Sequence, residues 1–123
     1  MAKILLVDDD QDFVAAVKAV LVNEGHDVKA GYNRSEGMAL IKAENPDVII
    51  LDVMMEEMDD GFTMAHDLRK EGVTKPILML SSVGKISGMK FDKDSDMVPV
   101  DAFEEKPIRP EKLVERINEL LSA

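Results

Sequence analysis

Asp47-Val48-Ile49-Ile50-Leu51-Asp52 is the stretch on which the reading of this chain turns. Four apolar residues in a row, three of them β-branched, stand between Pro46-Asp47 and a second carboxylate, and read as a strand buried on both faces. Such strands belong to parallel sheets covered by helices on either side. Ligands bind in the crevice beyond the carboxyl ends of those strands, so Asp52 stands where chemistry is expected.

Working outward, Lys3 to Val7 is another short apolar run, and it ends in Asp8-Asp9-Asp10, a second delivery of carboxylates to a strand end. From Gln11 to Glu24, Phe13, Val17 and Leu21 recur every four residues with Val14 and Val20 beside them, which predicts an amphipathic helix stopped by Gly25. The acidic triplet suits the start of that helix, and Asp10 reads as its cap rather than as a ligand. Asp27 to Gly31 is a weaker strand, and Asn33 with Glu36 makes a capping-box start for a helix running to about Ala43 and closed by Pro46. After Asp52 comes a loop from Val53 to Asp60, rich in Met and acid, and then a short helix marked by Phe62, Ala65 and Leu68 and ended by Gly72. Pro76 to Leu80 is a fourth strand and delivers Ser81-Ser82. Val100 to Glu104 reads as a fifth, ending at Lys106-Pro107, and the last helix starts near Pro110 with Leu113, Val114, Ile117, Leu120 and Leu121 on one face.

Strands alternating with helices imply an α/β fold, a doubly wound parallel sheet with right-handed crossovers. Five strands favour a flavodoxin-like layout in the order 2-1-3-4-5. The alternation fails between Val83 and Pro99, where two glycines, a proline and many polar residues leave no apolar period. The fourth helix is therefore expected to be short or replaced by loop.

At 123 residues the chain has the size of one domain, residues 1–123. No apolar run approaches a membrane span, and the start of the chain lacks the pattern of a signal peptide, so a cytoplasmic location is expected. Cysteine is absent, which excludes disulfides, thiolate catalysis and Cys-ligated metal sites. Twenty-five acids against 15 bases give a net charge of −10, which repels phosphate backbones and anionic lipid; neither nucleic acid nor membrane is expected as a direct partner.

The strand ends collect Asp8, Asp9, Asp52, Ser81, Ser82 and Lys106. Crowded carboxylates repel, and a hard divalent ion with oxygen ligands relieves them. Mg²⁺ is the expected ion, since it takes one or two carboxylates and shares its remaining positions with water and phosphoryl oxygens. An Asp carboxylate can also be the nucleophile that forms an aspartyl phosphate while metal and lysine neutralise the transferring oxygens.

Lys3 to Asp10, Asp47 to Asp52, Pro76 to Ser81 and Asp101 to Pro107, in this order and spacing, resemble a response-regulator receiver domain, the phosphoacceptor module of two-component signalling. The resemblance covers nearly the whole chain. It implies that Asp52 is the phosphorylated aspartate, that Asp8 and Asp9 are the acidic metal pair, and that Met54 lends its backbone carbonyl to Mg²⁺. It implies that Ser81 follows the phosphoryl group, that Lys106 is the family's lysine, and that Phe103 is the aromatic switch, although an aromatic in a strand reads equally well as core. The implied partners are a histidine kinase or histidine phosphotransfer protein as donor and a downstream protein target, with this chain acting as a stand-alone receiver. It would be no enzyme beyond catalysing its own phosphotransfer and dephosphorylation. Met54 and Val83, the side chains expected to flank an attacking water, are apolar, so the aspartyl phosphate should hydrolyse slowly. The chain departs from the family pattern at two places: Gly61 lies nine residues after Asp52, one more than usual and without the usual Met-Pro pair, and Val83 to Pro99 lacks a clear helix.

Other motifs carry less. Met54, Met55 and Met58 could suggest a plastic partner surface, yet methionine most often fills gaps in packing, and no partner role is assigned to them. Asp92, Asp94 and Asp96 resemble the start of a calcium loop, but Met97 and Phe103 occupy its glycine and glutamate positions. Gly84-Lys85 lacks the rest of a phosphate-binding loop, and His26 and His66 read as isolated surface residues. An aspartate-nucleophile phosphatase would need a second aspartate where Met54 stands. A flavin carrier would need aromatics and a phosphate cradle in place of the acidic triplet. The alternative of a different class is a degenerate receiver that serves as a constitutive protein-interaction module.

Overall fold

The structure, a computed structural model, describes residues 2–52, 60–82, 101–106 and 108–122. Five strands, β1 (Lys3–Val7), β2 (Asp27–Gly31), β3 (Val48–Asp52), β4 (Ile77–Ser82) and β5 (Ala102–Lys106), form one sheet in the order β2-β1-β3-β4-β5, with every neighbouring pair parallel. Four helices are described: α1 (Gln11–Asn23), α2 (Arg34–Glu44), α3 (Asp60–Lys70) and α4 (Pro110–Ser122). This is the doubly wound, flavodoxin-like layout that the sequence predicts.

The strand period of two divides the core into two layers. Ile4 and Leu6 of β1, Val48 and Ile50 of β3, and Leu78 and Leu80 of β4 face α1 and α4, packing with Val14, Val17, Leu21, Leu113, Ile117 and Leu120. Leu5, Val7, Ile49, Leu51, Ile77 and Met79 face the other way, against Ile41 of α2 and Met64, Ala65 and Leu68 of α3. The three central strands are sealed on both sides, which is why their sequences read as continuous apolar runs.

Capping fixes the helix ends. Asp10 is the N-cap of α1, its carboxylate accepting from the N–H groups of Asp12 and Phe13, both at 3.1 Å. Asn33 caps α2 by accepting from Glu36 N–H at 2.9 Å, while Glu36 accepts from Tyr32 N–H at 2.8 Å. Asn45, left-handed at φ 48°, ends α2 before Pro46 is reached. Between β2 and α2 the backbones approach closely: a Cβ on Gly31 would come within 3.0 Å of Gly37 N, and one on Gly37 within 2.7 Å of Val7 Cγ2. Only glycine lets α2 lie this near the end of β1.

Three expectations are corrected. The fifth strand runs from Ala102 to Lys106, two residues later than read, because backbone pairing of Leu78 with Ala102 and not the apolar Val100 sets its start. Helix α3 begins at Asp60, ahead of Phe62; its first turn shows no apolar period, but an aspartate suits a helix N-terminus. His26 is no isolated surface residue: it is half-buried and its Nδ1 accepts from Ala2 N–H at 3.2 Å. His66 is likewise half-buried and has an interaction partner. The expected loop from Val83 to Pro99, with the fourth helix short or replaced, lies outside the described residues, as do Gly84-Lys85, the Asp92 to Asp96 turn and the loop after Asp52.

Candidate functional site

The site follows from register. β1 and β3 are adjacent, with Ile4 opposite Val48 and Val7 opposite Leu51, so the next pair along is Asp8 opposite Asp52. The β1–β2 ladder continues one step past the strand, Asp8 N–H donating to Gly31 O at 3.1 Å. Asp8 thus keeps the alternation of Ile4 and Leu6, and Asp52 that of Val48 and Ile50, and both belong to the face of the sheet that carries α1 and α4.

Burial singles out the same two residues. Asp8 is 1% exposed and Asp52 7%, and they are the buried charged residues among those described. Asp8 Oδ1 accepts from Asp10 N–H at 2.9 Å, which fixes one carboxylate oxygen as the chain turns into α1. The three consecutive aspartates therefore divide the work: Asp8 points inward, Asp9 is exposed at the rim, and Asp10 caps the helix. One carboxylate oxygen each from Asp8, Asp9 and Asp52 can be chosen so that all three lie within 4.8 Å of one another. Buried like charges so close repel, and carboxylates are oxygen donors of the kind hard divalent cations take. The residues present fit such an ion.

The structure brings the backbones of the remaining candidates to the same edge. Ser81 and Ser82 end β4, Ser82 lies opposite Lys106 at the end of β5, and Phe103 lies opposite Met79. The side chains of Ser81, Phe103 and Lys106 are outside what is described, and Met54, Met55 and Met58 fall wholly outside the described residues. Sequence reasoning missed the tie from Asp10 N–H to Asp8, for which a run of aspartates gives no signal. It also missed a network at the opposite edge in which Arg69 Nη2 donates to Asp101 Oδ2 at 2.9 Å, since the partners lie far apart in the chain. A cleft of about 410 Å³ between the ends of α2 and α3, floored by Ile41, Ile49 and Leu68, contains none of the acids gathered at the strand ends. No helix among the described residues is long and apolar enough to cross a membrane.

The comparisons with known proteins agree with this geometry. The family model for the response regulator receiver domain matches residues 4–118. The DNA-binding dual master transcriptional regulator RpaA of Synechocystis is 34% identical over 123 residues, covering 98% of this chain and 49% of that protein. The alkaline phosphatase synthesis transcriptional regulatory protein PhoP of Bacillus subtilis is 32% identical over 120 residues, 97% of this chain and 48% of that protein. The chain thus spans about half the length of these curated relatives. Among solved structures, the receiver domain of the Francisella response regulator 1452 superposes with a TM-score of 0.83 at 29% identity, covering 99% of this chain and 98% of that one. The Vibrio cholerae chemotaxis protein CheY4 gives a TM-score of 0.83 at 28% identity, covering 98% and 99%.

Proposed function

The chain belongs to the response regulator receiver domain family, and on that premise we propose that it accepts a phosphoryl group on Asp52 from a histidine kinase or histidine phosphotransfer protein, in a Mg²⁺-dependent reaction, and signals through protein–protein contacts. The observation that carries the reading is the burial of Asp52 beside Asp8 and Asp9 at the end of the central strand. An Asp52 oxygen forms the new bond to phosphorus as the bond from phosphorus to the donor imidazole breaks. Asp8, Asp9, Asp52 and the Met54 carbonyl would hold Mg²⁺, which when bound offsets the crowded negative charge and polarises phosphoryl oxygens. Lys106 takes part of the developing charge and Ser81 follows the new phosphoryl oxygens, with Phe103 as the residue that responds.

In this reading the receiver turns over no separate substrate; it catalyses only its own phosphorylation and dephosphorylation, and it acts in the cytoplasm. RpaA is named for DNA binding, but direct DNA contact is no part of the proposal here, because a net charge of −10 opposes it.

Intact-mass analysis after incubation with Mg²⁺ and a small-molecule phosphodonor tests the proposal. Uptake of one phosphoryl group, absent in Asp52→Asn, is expected. Mg²⁺ binding without uptake would overturn it in favour of a constitutive interaction module. The slow hydrolysis expected from the apolar Met54 and Val83 is checked with Met54→Asn, which should shorten the lifetime of the phosphoprotein. An unchanged lifetime would remove that argument.

A further inference from the structure

We infer that Asp101, held by Arg69, is a positioning residue that sets the register of β5 and so brings Lys106 to the acidic edge. The inference rests on the function proposed above and adds to it a latch at the opposite end of the sheet.

Parallel neighbours are joined by long crossovers, never by a tight turn that could dictate their alignment, so contacts must set the register of β5. Its own sequence does so weakly. Where β1 and β3 align four pairs of fully buried apolar residues, β5 offers only Ala102 and Phe103 before the acids Glu104 and Glu105 and then Lys106. Just ahead of β5, however, Asp101 clasps Ile77, the first residue of β4, from both sides. Asp101 N–H donates to Ile77 O at 3.0 Å, and Asp101 Oδ2 accepts from Ile77 N–H at 2.9 Å. The same oxygen accepts from Arg69 Nη2 at 2.9 Å. Arg69 is itself fixed, its Nη1 donating to Val73 O and Lys75 O, both at 2.9 Å, so the end of α3, the loop into β4 and the start of β5 close into one unit.

The consequence lies at the other end of the strand. With Asp101 opposite Ile77, Ala102 pairs with Leu78 and Lys106 with Ser82. A slip of two residues, which keeps the faces unchanged, would carry Lys106 about 6.6 Å along the sheet, beyond the reach of a precise charge contact. A second ion pair, Arg116 of α4 with Glu104 at 3.0 Å, ties the middle of β5 to the opposite layer. It restrains β5 against α4, whereas the Asp101 clasp bonds directly to β4.

The test uses the full chain, with Asp101→Asn and Arg69→Gln measured separately. Phosphoryl uptake from a small-molecule donor should slow about 10- to 100-fold in either variant, the scale of a small misplacement of a reacting group. Mg²⁺ affinity, read from thermal shift, should be unchanged because Asp8, Asp9 and Asp52 sit on β1 and β3. Amide exchange should quicken over Ala102–Lys106 and stay as it was in β1 and β3. In Lys106→Met, itself slowed, adding Asp101→Asn should bring no further loss. Wild-type uptake rates in both single variants, or an equal further loss in the Lys106→Met background, would overturn the latch while leaving the acceptor function standing. Failure of the wild-type chain to take up phosphate would overturn the function beneath it, and unchanged exchange in β5 would overturn the latch independently of that function.

Discussion

Asp47 and Asp52 flank the same four apolar residues, yet the two ends of that strand use the same side chain for opposite purposes. Asp47 clasps Lys3, the first residue of β1: its N–H donates to Lys3 O at 2.7 Å and its Oδ2 accepts from Lys3 N–H at 2.9 Å. Asp101 repeats the arrangement on Ile77 at the start of β4. At the entry edge of a parallel sheet the first N–H of a strand needs an acceptor, and an aspartate one residue ahead of the neighbouring strand supplies it. At the exit edge, Asp8, Asp9 and Asp52 are gathered on one another. The direction of the chain through the residue, and not the residue type, separates a carboxylate that builds the sheet from one available for chemistry.

The difference can be tested at each end, starting with the largest effect. Asp52→Asn should abolish phosphoryl uptake, whereas Asp47→Asn should leave it intact by mass; uptake lost equally in both would erase the distinction. Next, Mg²⁺ at about 100 times its dissociation constant should stabilise the wild-type chain by about 2.7 kcal/mol. That gain should vanish with chelator or in Asp8→Asn and persist in Asp47→Asn, as read by thermal or urea unfolding. A packing effect beneath the acidic edge follows. Gly37→Ala should destabilise by about 1–3 kcal/mol, although alanine favours a helix by about 1 kcal/mol, because the new methyl meets the stiff, buried Val7 next to Asp8. A neutral or stabilising result in denaturant would show that β1 can yield there.

Smaller effects belong to the entry edge. Asp47→Ala should cost about 1 kcal/mol, the net value of an ordinary hydrogen bond, with no loss of Mg²⁺ binding. Lys42→Ala, which removes an exposed pair with Glu71 at 3.0 Å, should change stability by less than about 0.5 kcal/mol.

The architecture was legible because its signals are local. The apolar runs of β1, β3 and β4, the caps at Asp10 and Asn33, and the breaks at Gly25 and Gly72 each report their own position. The grouping of Asp8, Asp9 and Asp52 was legible for a related reason: strand ends in a parallel sheet meet at one edge, so carboxylates that follow strands converge. The start of β5 and the Asp101 clasp were not legible, because the partners Ile77 and Arg69 lie far away in sequence and Ala102 to Lys106 carries little alternation of its own. Ala2 binding His26 belongs to the same class of distant pairing.

The division of the core into two layers also bears on how the proposed reaction would be felt by the rest of the molecule. Asp8 and Asp52 continue the alternation of the layer that holds α1 and α4, so the bulky dianion that the proposed function would form there would be a direct neighbour of that layer. The α2–α3 layer lies on the other face of the central strands, where a Cβ on Gly37 would meet the side chain of Val7, the residue before Asp8. On the function proposed above, the sheet would separate a side that meets the chemistry at first hand from a side that backs the wall.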